Sequence, residues 1–66
     1  MAIHKVIEVL SQSDKGWEDA AQRGVEDAAK TVKNIKSIYI MHMEAVVANG
    51  KISQYRVNAK ITFEVA

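Results

Sequence analysis

The sequence predicts an α+β domain of order β-α-β-β, with a three-stranded antiparallel sheet (order 1-3-2) wrapped around one helix. Three observations predict it. Ile35 to Val65 holds two β-compatible runs joined by Asn49-Gly50, the strongest short-range signal for a hairpin. From Asp14 to about Lys33 the apolar spacing switches to a helical period. Ahead of that, Ile3 to Ser11 is rich in β-branched residues and reads as a first strand.

A tight two-residue turn at Asn49-Gly50 pairs Ala48 with Lys51. A regular ladder then sets Glu44 opposite Tyr55, His42 opposite Val57, Ile40 opposite Ala59 and Ile38 opposite Ile61. Side chains alternate between faces. Ile38, Ile40, Val57, Ala59, Ile61 and Phe63 therefore form a core-facing surface, with His42 on the same side. The outer face carries Tyr39, Met41, Met43, Ala45 and Val47 beside Thr62, Lys60, Asn58, Arg56 and Gln54. Each arm reaches roughly 14 residues, well past the usual 5 or 6. Arms that are apolar on both sides and longer than their core read as surfaces for other subunits.

In the first strand Ile3, Ile7 and Val9 share one face with Lys5 and Ser11, and His4, Val6, Glu8 and Leu10 share the other. Gln12-Ser13-Asp14 breaks the strand, and Ser13 is expected to cap the helix with Asp14 in its first turn. The helix stripe is Trp17, Ala20, Ala21, Gly24, Val25, Ala28 and Val32, which is small enough to lie close on a sheet. Trp17 is its one bulky anchor and reads as a packing residue. Lys30, Lys33 and Lys36 fall where cations favour the helix dipole. The helical crossover makes the first two strands parallel, and the last strand lies between them.

With 66 residues there is room for one domain, spanning 1–66, and so short a chain needs disulfides, metal or oligomerisation to stabilise it. There is no cysteine. The net charge is +1 and the cations are scattered, so nothing supports a nucleic-acid surface. No run approaches the length of a membrane span or a signal peptide, so a cytoplasmic location is expected. Phosphate loops, nucleophile elbows and His-Glu-x-x-His are absent, so no enzyme is expected. His42 has no visible orienting partner and reads as structural. Glu18-Asp19 and Glu26-Asp27 lack the surrounding oxygens of a calcium loop and read as a solvated helix face.

The whole chain resembles the dodecin family. The marks are the opening HKVIEVLSQS, then Gly16-Trp17-Glu18-Asp19-Ala20-Ala21, Ala28-Ala29-Lys30-Thr31-Val32, and the closing YRVNAKITFEV. The resemblance implies a homododecamer, a hollow sphere of twelve copies, that sequesters or buffers a ligand without turnover. Typical dodecins bind flavins (FMN or riboflavin) in pairs between subunits, on a tryptophan of the second strand and a glutamine of the third. Here Ser37 and Arg56 stand at those cofactor-binding positions. Serine offers no π-surface, so flavin stacking is expected to be weakened, while arginine can stack or pair with phosphate. A subgroup lacking the tryptophan has been described as calcium-binding, and this chain is similar to it at Trp17-Glu18 and Tyr55-Arg56. The metal ligands stay open. The readings are a cage for a small ligand or cation, a structural or protein-interaction assembly without ligand, and a ligand-dependent regulator or nucleic-acid partner.

Overall fold

The computed structural model describes residues 2–66. The elements run β1 (His4–Ser13), α1 (Trp17–Ala29), β2 (Ile35–Ala48) and β3 (Lys51–Glu64). Strand order is β1-β3-β2, and β3 is antiparallel to both neighbours. The two outer strands are therefore parallel to each other, as a helical crossover requires. The hairpin turn holds Asn49 at φ 54 and Gly50 at φ 75. Two successive positive φ values define the turn whose twist suits a hairpin, and asparagine and glycine tolerate them best.

One face of the sheet lies on α1. Ala20, Ala28, Val57, Ala59 and Ile61 are buried there, and Ile7, Val9, Ile38 and Ile40 are partly covered. Every member of the small-residue stripe, from Trp17 to Val32, escapes full exposure. The small side chains matter because the backbone comes close. A Cβ on Gly24 would stand 3.4 Å from the Ser11 Cβ and 3.8 Å from a Val9 methyl. The Ser11 hydroxyl donates across this seam to the Ala20 carbonyl at 2.7 Å.

The strand-helix junction differs from expectation. β1 runs through Gln12 and Ser13, because β3 offers Arg56 and Tyr55 as ladder partners for them. The helix then starts at Trp17, with Gly16 at the cap position and no side-chain cap. Ser13 does not cap the helix. It is buried, its Oγ accepts from the Lys15 N–H at 3.0 Å, and it donates to the Asp19 carboxylate. Arg23 reaches the same carboxylate one turn later at 2.7 Å. The Ser13 hydroxyl and then the Arg23 guanidinium hold the Asp19 carboxyl below its ordinary 3.8. At the other end the helix stops at Ala29, and single hydrogen bonds to Ala28 carry the turn on to Val32.

The hairpin register also differs. Ala48 pairs with Lys51, Ile40 with Ala59 and Ile38 with Ile61, as a regular ladder requires. Between them the register slips by one. Glu44 faces Arg56 rather than Tyr55, and His42 faces Asn58 rather than Val57. Ser53 is left unpaired on β3 and Met41 on β2, two bulges that cancel each other, and a third irregularity leaves Lys36 unpaired near the start of β2. The slip exchanges faces. His42 and Glu44 lie on the outer side, while Met43 and Ala45 share the helix side with Val57 and Tyr55. The Ser53 hydroxyl donates to the Val46 carbonyl at its own bulge, 3.2 Å away.

The molecule is long for its size, with extents of 51 × 20 × 13 Å. Its radius of gyration is 13.5 Å, against roughly 11 Å for a compact chain of this length. Its accessible surface is 4807 Å², where a folded monomer of this mass shows roughly 4,200 Å². Large apolar residues contribute to that surface. Leu10, Tyr39, Val47, Met43, Val6 and Ile52 are all more than half exposed.

Replacing Gly24 with leucine should push α1 off β1 and cost about 1–3 kcal/mol in a urea melt. Gly24→Ala makes only ordinary contacts and should stay within about 1 kcal/mol of the parent, helped by helix propensity. Acid should loosen the junction as well. A depressed carboxyl contributes fully above its unfolded value, and that contribution is lost as pH falls below 3.8 through the folded value. Urea midpoints at about pH 6 and about pH 3 should therefore fall further for the parent than for Asp19→Asn.

Candidate functional site

The outer sheet face, opposite α1, holds both positions singled out from the sequence. Ser37 pairs with Thr62, and Arg56 lies six residues back along β3. At ~3.3 Å per residue the two are roughly 20 Å apart. One chain does not bring them together. Only a neighbouring copy can place a Ser37 beside an Arg56.

Arg56 has a local environment that the regular register concealed. It stands on the central strand with Gln12 beside it on β1 and Glu44 beside it on β2. Its Nε and Nη2 both donate to Gln12 Oε1, at 3.0 and 2.9 Å. Its Nη1 reaches Glu44 Oε1 at 3.4 Å. The Glu44 side chain is 63% exposed and that of Arg56 34%. An exposed pair of this kind is weak, worth about 0–1 kcal/mol. The bond to Gln12 orients the guanidinium, and Glu44 only partly offsets its charge.

Glu44 also ties the two faces together. Its backbone carbonyl accepts the Trp17 Nε1–H at 3.0 Å. Trp17 packs edge-on against Tyr55, with ring centroids 4.9 Å apart at 79°. Trp17 is a packing residue, as its place at the helix start suggests, and its polar edge is satisfied by the strand that carries the outer-face carboxylate.

The rest of the face is mixed. Asn58 donates to Glu8 at 3.2 Å and to the Val9 carbonyl at 3.3 Å. Glu8 faces Lys60, and Lys60 faces Tyr39, which is 68% exposed. Val6 and Leu10 lie between these polar residues on β1. Among the described residues no three His, Cys, Asp or Glu side chains gather as a metal site. Asp19 is committed to Ser13 and Arg23, so of the Glu18-Asp19 pair only Glu18 remains a solvated carboxylate. No helix among the described residues is long and apolar enough to cross a membrane.

Sequence reasoning placed Ser37 and Arg56 on the outer face and missed Gln12 and Glu44. In sequence Gln12 reads as part of a strand break, and a regular ladder sets Glu44 opposite Tyr55. Bulges at methionine and serine leave no glycine to mark them, so the row Gln12–Arg56–Glu44 has no signal in the sequence.

These features define a class: a small β-α-β-β protein whose sheet curls on one helix and leaves a long hairpin bare on its other face. The chain belongs to the dodecin family, whose model matches residues 3–66. It is 32% identical over 66 residues to a calcium dodecin of Mycobacterium tuberculosis, covering 98% of this chain and 92% of that one. A crystal structure of the M. tuberculosis calcium dodecin, described as a calcium-chelating antigen with a novel calcium-binding site, matches with a TM-score of 0.84. It is 25% identical and the match covers 97% and 91% of the two chains. A Thermus thermophilus protein matches with a TM-score of 0.94 at 20% identity, over 100% and 97% of the chains. The dodecin from Streptomyces davaonensis matches at 0.93 and 20%, over 98% and 96%. At that identity the last two establish the fold alone.

Proposed function

We propose that this chain is one domain and the subunit of a closed homo-oligomer, a homododecamer by family resemblance, that sequesters or buffers a small ligand without catalysing a reaction. One observation carries the reading: a 51 Å molecule with more than half of each of six large apolar side chains in water. Such a surface is covered in a functioning protein. Both outer strands also present unpaired backbone edges, which sheets rarely leave open.

Calcium is the ligand the chain suits better than flavin. Its M. tuberculosis relative is named for calcium. Calcium takes six to eight oxygens, and the described residues offer no cluster of three ligands within one chain. A site built from carboxylates of adjacent subunits at a symmetry contact meets that demand. Flavin is disfavoured by Ser37, which supplies no ring to stack on, and by Arg56, which stands where the family places a glutamine. The second reading, an assembly that has kept its cage and lost its ligand, is favoured by the same absence of a ligand cluster within the described residues.

Native mass spectrometry before and after EDTA should show one large oligomer that survives chelation and loses only bound metal mass. A stable monomer at micromolar concentration would sink the assembly. Leu10→Glu and Val47→Glu, each placed on an exposed apolar residue, should break the oligomer. Calcium should raise the thermal midpoint of the assembled protein. No shift, with the cage intact, would favour the ligand-free reading.

Riboflavin and FMN should quench weakly or not at all on titration with the protein. Ser37→Trp combined with Arg56→Gln should create strong quenching, because each added ring contributes about 0.5–1.5 kcal/mol of stacking. Stoichiometric quenching by the parent chain would refute this.

A further inference from the structure

Over His42 to Val46 the register of the hairpin slips by one residue and then recovers, while a separate irregularity at Lys36 lies near the start of β2. A single bulge would displace the whole remainder of the ladder; two opposed bulges confine the change to one segment. On the helix side the exchange brings in Met43 and Ala45, yet Met43 stays 57% exposed, so the gain in burial is small. The larger consequence is on the outer face, where Glu44 is turned toward Arg56. Bulges concentrate where a sheet re-aims a side chain near a functional position.

Arg56 is also held in an unusual state of commitment. A guanidinium has five N–H donors. Two go to the single oxygen Gln12 Oε1, and one makes the long contact to Glu44. Gln12 is neutral, so it fixes the fork without cancelling the charge. Glu44 cancels the charge but is mostly exposed, and the contact of 3.4 Å is easily exchanged. Two N–H donors remain for an outside acceptor, in the planar geometry that matches a carboxylate or phosphate.

We propose that Arg56 is the binding group of an oxyanion site on the outer sheet face, oriented by Gln12 and occupied at rest by the Glu44 carboxylate, which an incoming carboxylate or phosphate displaces. The site rests on the ligand-binding reading only for its face. It takes an anion where that reading takes a cation. Glu44 acts as a resident competitor: as an exposed partner it lowers anion affinity by at most about fivefold. The Glu44 backbone carbonyl accepts from the indole of Trp17, the single tryptophan of the chain, which supplies the fluorescence signal beside the site.

The intact oligomer is titrated with potassium phosphate and, separately, with sodium acetate, at constant ionic strength made up with chloride, while Trp17 emission is followed. A saturable response to either anion is expected; phosphate alone identifies the phosphoryl class and acetate alone the carboxylate class. Arg56→Gln should abolish the response and Arg56→Lys should weaken it, since lysine keeps the charge and loses the fork. Glu44→Gln should tighten binding about two- to fivefold, the inverse of the competition it removes. No response in the parent, an unchanged response in Arg56→Gln, or binding no tighter in Glu44→Gln would each overturn the site. Where Arg56→Gln fails to assemble by native mass spectrometry, Glu44→Gln decides alone. The titration is repeated after EDTA. A response that persists separates this site from the cation reading, and one that vanishes places the anion on bound metal and overturns the assignment to Arg56.

Discussion

One helix cannot cover this sheet. A helix of 13 residues spans about 20 Å, whereas strands of 14 residues span about 46 Å. The rest follows from that mismatch. Burial concentrates on the central strand, at Val57, Ala59 and Ile61, where helix and both neighbours converge. The helix can press close only because its stripe is alanine and glycine, and the Ser11 hydroxyl bonded to Ala20 marks how close it comes. Beyond the helix the arms project with apolar residues in water.

The bulge pair solves a second problem, set by the two-residue period of a strand. A ladder without slips would have turned Glu44 toward the aromatic pair of Trp17 and Tyr55, where a carboxylate would be partly desolvated. Slipping five residues by one position sends Glu44 and His42 to the outer face and turns Met43 and Ala45 to the helix side. The Glu44 backbone still serves the helix side by accepting from Trp17. One residue thus contributes its main chain to one face and its side chain to the other.

Charge on the outer face is arranged in short compensated rows: Arg56 with Glu44, Lys60 opposite Glu8, Lys36 with Glu64 at 3.7 Å. These pairs are exposed and contribute little to stability. Their value lies in fixing the register of the sheet. The distance between Ser37 and Arg56 within one chain means that a pocket using both needs two copies.

The fold class, the strand order, the turn and the small-residue face of the helix were legible in the sequence, because each depends on local rules. Asn49-Gly50 dictates its own turn, alternation assigns Ile38, Ile40, Val57 and Ile61 to the core, and the helical period identifies the stripe from Trp17 to Val32. The placement of Ser37 and Arg56 on the outer face was legible for the same reason. Three things were decided only in three dimensions. β1 continues through Ser13 because β3 supplies partners for it, so Ser13 serves Asp19 rather than the helix end. The register between Ile40 and Val47 depends on which side chains the sheet turns toward the helix and which toward water, and strand alternation alone does not state that. The partners of Arg56 follow from that register, and neither Gln12 nor Glu44 carries a mark of it, because a bulge at an ordinary residue is selected by packing across the sheet and not by the conformational preference of the residue itself.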